Sequence, residues 1–140
     1  MKVVYMAHPL GAGDDRERNR ENAARWMAWL VDTFGVAVIA DWIVLSGEWP
    51  ETAANRERGL AFDMALVGRC DEVWLVGGRV SEGMAMEAAR AIELGKRVVD
   101  LTALGYHAPR PVQVDRADFL PRAEVQAGMA AIAAKLEGGE

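Results

Sequence analysis

Apolar positions along the chain fall into short unbroken runs separated by longer stretches with a helical period. Val3 to Ala7, Val36 to Ala40, Glu72 to Val76 and Arg97 to Leu101 are runs rich in valine and isoleucine. Runs this short, with little polar alternation, predict strands buried on both faces. Between the first two, Ala23, Trp26, Met27, Leu30 and Val31 recur at three- and four-residue steps. They predict a helix to Phe34, capped by Asp14 or Asp15 and stopped by Gly35. Two further helices are expected from about Asn55 to Arg69 and from Ser81 to Leu94, the latter closed by Gly95. Asp41 to Ala54, with Trp42, Trp49 and Pro50, reads as a long connecting loop of the kind that forms lids and binding surfaces. Val112 to Val114 predicts a short fifth strand, and Pro121 opens a last helix to about Leu136 before the tail Gly138 to Glu140.

Alternation of strand and helix predicts an α/β fold. We expect one doubly wound domain over residues 1–140, Rossmann-like or flavodoxin-like, with a mostly parallel sheet of four to five strands. Ligands of such sheets bind outside the carboxyl ends of the strands. Three segments meet that condition: His8 to Asp15, the long loop after the second strand, and Gly77 to Ser81.

Composition narrows the functional classes. The chain has 140 residues, a net charge of −5, one cysteine (Cys70) and two histidines. That balance argues against a nucleic-acid polymer as partner, against a disulfide framework and against a cysteine- or histidine-rich metal centre. No apolar run approaches the length of a membrane span or a secretory signal, so a soluble, cytoplasmic protein is expected. The loop His8 to Gly13 is glycine-bearing but is neither GxGxxG nor GxxxxGK[ST], which disfavours a dinucleotide or P-loop enzyme.

Candidate chemistry concentrates in Ser81-Glu82-Gly83-Met84-Ala85-Met86-Glu87. Ser81 sits at an expected N-cap, where its hydroxyl and the free N–H groups of the first turn offer an anion site. Gly83 would let a ligand approach the backbone. On the helical wheel Ala85, Ala88, Ala89 and Ile92 form the apolar face, Glu82, Arg90 and Glu93 face solvent, and Glu87 falls at the edge of the apolar stripe. A screened carboxylate there would suit a nucleophile or general base; the plainer reading is a capping serine and a solvated glutamate. Asp63, amid Leu60, Ala61, Met64, Ala65 and Leu66, either points at the ligand end of the sheet or is an exposed polar position. Tyr5 lies in the first strand, and its hydroxyl needs a partner if buried. Arg16, Arg18 and Arg20 would bind phosphate or form a solvated face. Trp42 and Trp49 would stack on a nucleobase, cover a pocket or plug the loop onto the core.

Taken in order, these pieces resemble the nucleoside 2-deoxyribosyltransferase-like superfamily, which includes the 2′-deoxynucleoside 5′-phosphate N-hydrolases. Its late pattern, S-x-G-x-x-x-E then A-x-x-x-G-K, is matched by Ser81, Gly83, Glu87, Ala91, Gly95 and Lys96, and the likeness covers roughly residues 2 to 101. The resemblance implies that Glu87 attacks C1′ of a deoxyribosyl group. Tyr5 would orient that carboxylate, and Asp63 would contact base or sugar and assist the leaving group. Ser81 would take the 5′-phosphate or 5′-hydroxyl. His8, Gly11, Gly78, Gly83 and Trp42 complete the expected substrate-binding set. The substrate would be a small nucleoside or nucleotide. No metal or redox cofactor is implied, and a homodimer or higher homo-oligomer is expected. The sequence departs from the pattern at His8-Pro9, where relatives commonly carry small residues. Two other classes remain: a non-catalytic nucleotide-sensing module on the same fold, and a structural subunit using the tryptophan-bearing loop as an interface.

Overall fold

In a computed structural model, residues 1–109 and Ala134 are described. The chain divides into a unit Met1–Pro109 and a second, 110–140; the expected fifth strand and last helix lie outside the described residues. The described elements run β1 (Val3–Ala7), α1 (Asp14–Phe34), β2 (Ala37–Ile39), α2 (Trp42–Glu48), α3 (Ala53–Val67), β3 (Glu72–Leu75), α4 (Glu82–Glu93) and β4 (Arg97–Asp100), with a short 3-10 turn at Thr102–Leu104. The four strands form one parallel sheet in the order β2-β1-β3-β4. The fold is therefore a parallel α/β domain of the Rossmann or flavodoxin type.

The two central strands are the most buried. Val4 to Ala7 and all of β3 are shielded, whereas β4 at the edge exposes Arg97 and Asp100. Register pairs Tyr5 with Val73 on one side and with Ile39 on the other. From β1 the chain steps one way to β2, then crosses back to β3 and continues to β4. Right-handed crossovers therefore put α1 on one face and α3 with α4 on the other. The reversal of direction between β1 and β3 opens a crevice at their carboxyl ends.

Three expectations needed correction. The segment after β2 is not an irregular loop; Trp42–Glu48 is a two-turn helix. It is secured by long-range contacts: Arg16 Nε and Nη2 donate to the Ser46 carbonyl at 3.1 and 2.9 Å, and Arg20 Nε donates to the Ile43 carbonyl at 2.8 Å. Gly47 leaves the space that the Arg20 guanidinium fills. Neither aspartate caps α1: Gly13 occupies the N-cap, and Asp14 and Asp15 lie in the first turn, where they complement the helix dipole. The buried stripe of α1 is also rotated from expectation. It runs through Asn19, Asn22, Ala23, Trp26 and Leu30, leaving Val31 exposed.

Candidate functional site

Helix α4 begins with a reciprocal cap. The Ser81 hydroxyl accepts from the Met84 N–H at 3.3 Å, and Met84 Sδ accepts from the Ser81 N–H at 3.3 Å. The cap turns Met84 inward, and the residues one and two turns later on that side are Glu87 and Ala91. The wheel's assignment of Ala85, Ala89 and Ile92 to the buried face is thus corrected; Ile92 is 67% exposed. Met84, the largest buried side chain of the helix, and not the alanine pattern fixes its rotation. The consequence is chemical: Glu87 lies on the buried stripe, only 7% exposed.

Glu87 meets two other groups there. Tyr5 is fully buried in β1, and Asp63 is half-buried on α3. Tyr5 is close enough to influence both carboxyls, yet its hydroxyl forms no well-aligned hydrogen bond to either. The Tyr5 hydroxyl and Glu87 Oε2 are buried without a hydrogen-bond partner among the described residues. Most buried polar groups in proteins are paired, so orphans on a cavity wall mark a place arranged for something else. Burial, the main cause, pushes the Glu87 carboxyl up to about 8; contact with Tyr5 opposes this, and the charges of Asp63 and Asp41 add to it. Burial and then the Asp41 charge push Asp63 up to about 7, against a lowering contact from Tyr5. The same burial, with Glu87 and Asp63 nearby, raises the Tyr5 phenol far above its ordinary range, so it stays a proton donor. At neutral pH the two carboxyls hold at least one proton between them.

These groups line a cavity of about 750 Å3, within the range of small-molecule sites. Its wall includes eight of the nine sequence-predicted site residues: Tyr5, His8, Gly11, Trp42, Asp63, Ser81, Gly83 and Glu87. Gly78 is not on that wall. It adopts φ +85°, and a Cβ there would stand 2.8 Å from the Tyr106 nitrogen, so its job is to admit the passing 105–106 backbone. Gly83 has open space where a Cβ would project. Arg79 lines the cavity near Ser81, exposed and without an ion-pair or hydrogen-bond partner among the described residues. With the unengaged N–H groups of Glu82 and Gly83, it forms a local cationic rim against which an anionic ligand end can rest.

His8 and Trp42 have mainly architectural contacts. The His8 Nδ1 lies 2.6 Å from the Pro9 carbonyl, and Nε2 lies 2.8 Å from Asn22 Nδ2. The carbonyl only accepts and the amide nitrogen only donates, so the proton sits on Nδ1. Burial lowers the His8 pKa, and the ring is neutral. Both ring nitrogens are occupied, which leaves a ligand only the ring surface. Trp42 Nε1 donates to the Met6 carbonyl at 3.0 Å, and its indole stacks near His8 at 6.3 Å between centroids. Trp49 stays at the rim, with the Arg58 guanidinium 3.8 Å from its ring centroid. Of the three N-terminal arginines, Arg16 and Arg20 staple α2, and Arg18 pairs with Asp15 at 3.0 Å.

Sequence reasoning missed Asp41 and the strap at Tyr106. Asp41 immediately precedes α2, and its Oδ1 is a third buried atom without a partner among the described residues. A carboxylate just after a predicted strand was the available signal. Among the described residues no group of three or more His, Cys, Asp or Glu is arranged to hold a metal ion. No described helix is long and apolar enough to cross a membrane.

Residues 2–101 match a protein family described as a domain of unknown function (DUF7768). The chain belongs to this family. The match spans β1 to β4 and so includes every cavity-lining residue named above. No curated protein matches the sequence. For this DUF7768 member the function must therefore be argued from the site.

Proposed function

We propose that the cavity cleaves or exchanges the N-glycosidic bond of a 2′-deoxynucleoside or its 5′-monophosphate, with Glu87 as nucleophile. The observation that carries this reading is the unpaired, buried Glu87 oxygen on a cavity wall beside Tyr5 and Asp63. The resemblance of the Ser81, Gly83 and Glu87 pattern to nucleoside deoxyribosyltransferase-like proteins supports it. Cleavage starts from the form in which Asp63 holds the proton and Glu87 is ionised, the less populated of the two singly protonated forms because burial pushes the Glu87 carboxyl up further than that of Asp63. Glu87 attacks C1′, the C1′–N bond breaks, and its electron pair leaves on the base as Asp63 supplies a proton. The sugar is then held as an ester of Glu87. Attack at C1′ by water, or by the nitrogen of a second base, returns the carboxylate and passes a proton to Asp63. Two displacements retain the anomeric configuration, and a buried carboxylate stabilises the oxocarbenium-like transition states.

Tyr5 orients the nucleophile through its hydroxyl. Ser81, the first-turn N–H groups and Arg79 receive the 5′ end of the substrate, and Trp49 borders the space for the base. The protein works as a homodimer or higher homo-oligomer; exposed Phe62 on α3 and Met86 and Ile92 on the neighbouring α4 support an apolar contact between copies. Incubation with a panel of nucleosides and 5′-monophosphates, with and without a second base, tests the reading by chromatography of released base. Base release by the wild type but not by Glu87→Gln is expected. Tight binding with no turnover would replace the enzyme with a nucleotide-sensing module.

A further inference from the structure

Trp49 stands at the C-terminal end of α2 on the cavity wall, and the backbone around it is held from both sides. Its N–H donates to the Leu45 carbonyl at 2.9 Å, and Asn55 Nδ2 donates to the Pro50 carbonyl at 2.8 Å. The Arg58 guanidinium covers one face of the indole, 3.8 Å from the ring centroid, and Phe62 leans on it with centroids 6.0 Å apart. Trp49 lines the cavity, whereas Arg58 and Phe62 do not, so the face opposite Arg58 is the ring surface left to the cavity. A half-buried tryptophan braced in this way is in place before any ligand arrives, which lowers the cost of stacking a ring on it.

Beside it on the same wall is Gly59, in the interior of α3. A glycine there weakens the helix relative to alanine, so its presence needs a reason. Other glycines have one in the fold: a Cβ at Gly47 would collide with the Arg20 guanidinium, and one at Gly78 with the Tyr106 backbone. Gly59 has none. Its φ is not positive, and the nearest atom to an added Cβ is Trp49 Cζ3 at 4.0 Å, an ordinary contact. What the missing side chain keeps open is the cavity surface next to the indole. That cavity also holds the unpaired Tyr5 hydroxyl and Glu87 Oε2, which a ligand can satisfy. We propose that Trp49 and Gly59 form an aromatic subsite, in which a planar heteroaromatic ring of the ligand stacks on the indole face opposite Arg58. That the ring is a nucleobase rests on the glycosidic reading above; that the subsite takes a planar ring does not.

The test is a titration of the full chain with adenine and with 2-deoxyribose 5-phosphate, a probe without an aromatic ring. Calorimetry gives the affinities, and NMR follows the indole N–H resonance of Trp49, assigned through Trp49→Phe. Adenine should shift that resonance by its ring current, and 2-deoxyribose 5-phosphate should not. Trp49→Ala should weaken adenine binding on the order of tenfold and leave 2-deoxyribose 5-phosphate as it was. Gly59→Ala should raise the thermal midpoint, because alanine is the better helix residue and its Cβ has room, yet weaken adenine binding several-fold. A purely structural role would not produce that opposed pair of changes. No adenine binding by the wild type, equal loss of both probes in Trp49→Ala, or unaltered adenine affinity in Gly59→Ala overturns the proposal. So does a lowered thermal midpoint in Gly59→Ala, since the fold itself would then need the glycine. If Trp49→Ala does not fold, Trp49→Leu and Gly59→Ala decide by the same criteria. If adenine follows the expected pattern but no nucleoside is cleaved, the glycosidic reading fails and the subsite stands. If both variants bind adenine and release base as the wild type does, the glycosidic reading stands and the subsite falls.

Discussion

Two buried polar clusters sit within one strand-length of each other and could hardly be treated more differently. Around His8, no buried side-chain polar atom is left without a partner among the described residues. Asn22 Nδ2 donates to His8 Nε2 at 2.8 Å and to the Tyr106 carbonyl at 2.7 Å, which also accepts from Trp26 Nε1 at 2.7 Å. The Tyr106 hydroxyl donates to Asn19 Oδ1 at 2.8 Å, and Asn19 Nδ2 donates to the Leu10 carbonyl at 2.8 Å. Around Glu87, by contrast, three atoms have no partner among the described residues. A satisfied network holds backbone in place: it ties the loop after β1 and the Tyr106 strap to α1. An unsatisfied one stores interaction energy that a ligand can collect. Burial alone does not separate architecture from chemistry, but burial together with pairing does.

The sharpest way to break this contrast is Glu87→Gln. It keeps size and removes the anionic oxygen, so turnover should fall at least ~10³-fold, about 4 kcal/mol of barrier, in a single-turnover assay. The fold should be retained, because the lost group has no hydrogen bond to forfeit. A folded Glu87→Gln protein with wild-type turnover would remove the nucleophile and the contrast with it.

The second prediction uses pH. Glu87 and Asp63 have folded-state values above their ordinary ones, about 8 and about 7. Their contribution to stability is therefore complete below the ordinary carboxyl range, near pH 4, and is lost as pH rises through 7 and 8. The loss should amount to a few kcal/mol, roughly, across that window. His8 is shifted the opposite way, so its cluster loses stability as pH falls below the ordinary histidine value toward its lowered one. Denaturant midpoints from pH 4 to 9 measure the sum of these opposed slopes, and Glu87→Gln should reduce the loss of stability between pH 4 and 8 while leaving the His8 contribution in place. An unchanged profile over that interval in the variant would show that the acidic cluster is not strained.

Third, Asn22→Ala should destabilise by about 1–3 kcal/mol, since His8 Nε2 loses its donor while remaining buried. Thermal unfolding reads this, and a change below about 0.5 kcal/mol would make the network incidental. The smallest effect belongs to Gly83→Ala. No atom lies within 4 Å of the new Cβ, so stability should change by less than about 0.5 kcal/mol. Nucleotide affinity should nevertheless weaken if ligand approaches the first turn of α4. Unaltered affinity would move the 5′ end of the ligand away from Gly83.

Much of this architecture was legible before any coordinates. Valine-rich runs placed four strands, and their alternation with helices specified a parallel α/β sheet, beside which Tyr5, Ser81 and Glu87 line one cavity. Those features depend on local periodicity and on the fixed hand of crossovers, both of which a single chain encodes directly. What the sequence did not disclose depends on partners far away along the chain. The helix Trp42–Glu48 is short, interrupted by Gly47, and fastened by arginines more than twenty residues earlier. The inward turn of Glu87 was hidden because the wheel weighed the alanines, whereas the cap and the inward packing of Met84 settled the rotation. Asp41 read only as the start of a connecting loop, and His8 and Trp42 looked like free site residues, until their hydrogen bonds, or lack of them, were in view. Residue type and spacing determine which groups can reach a site. Whether each arrives already paired is a property of three-dimensional neighbours, and that is what tertiary structure alone decided here.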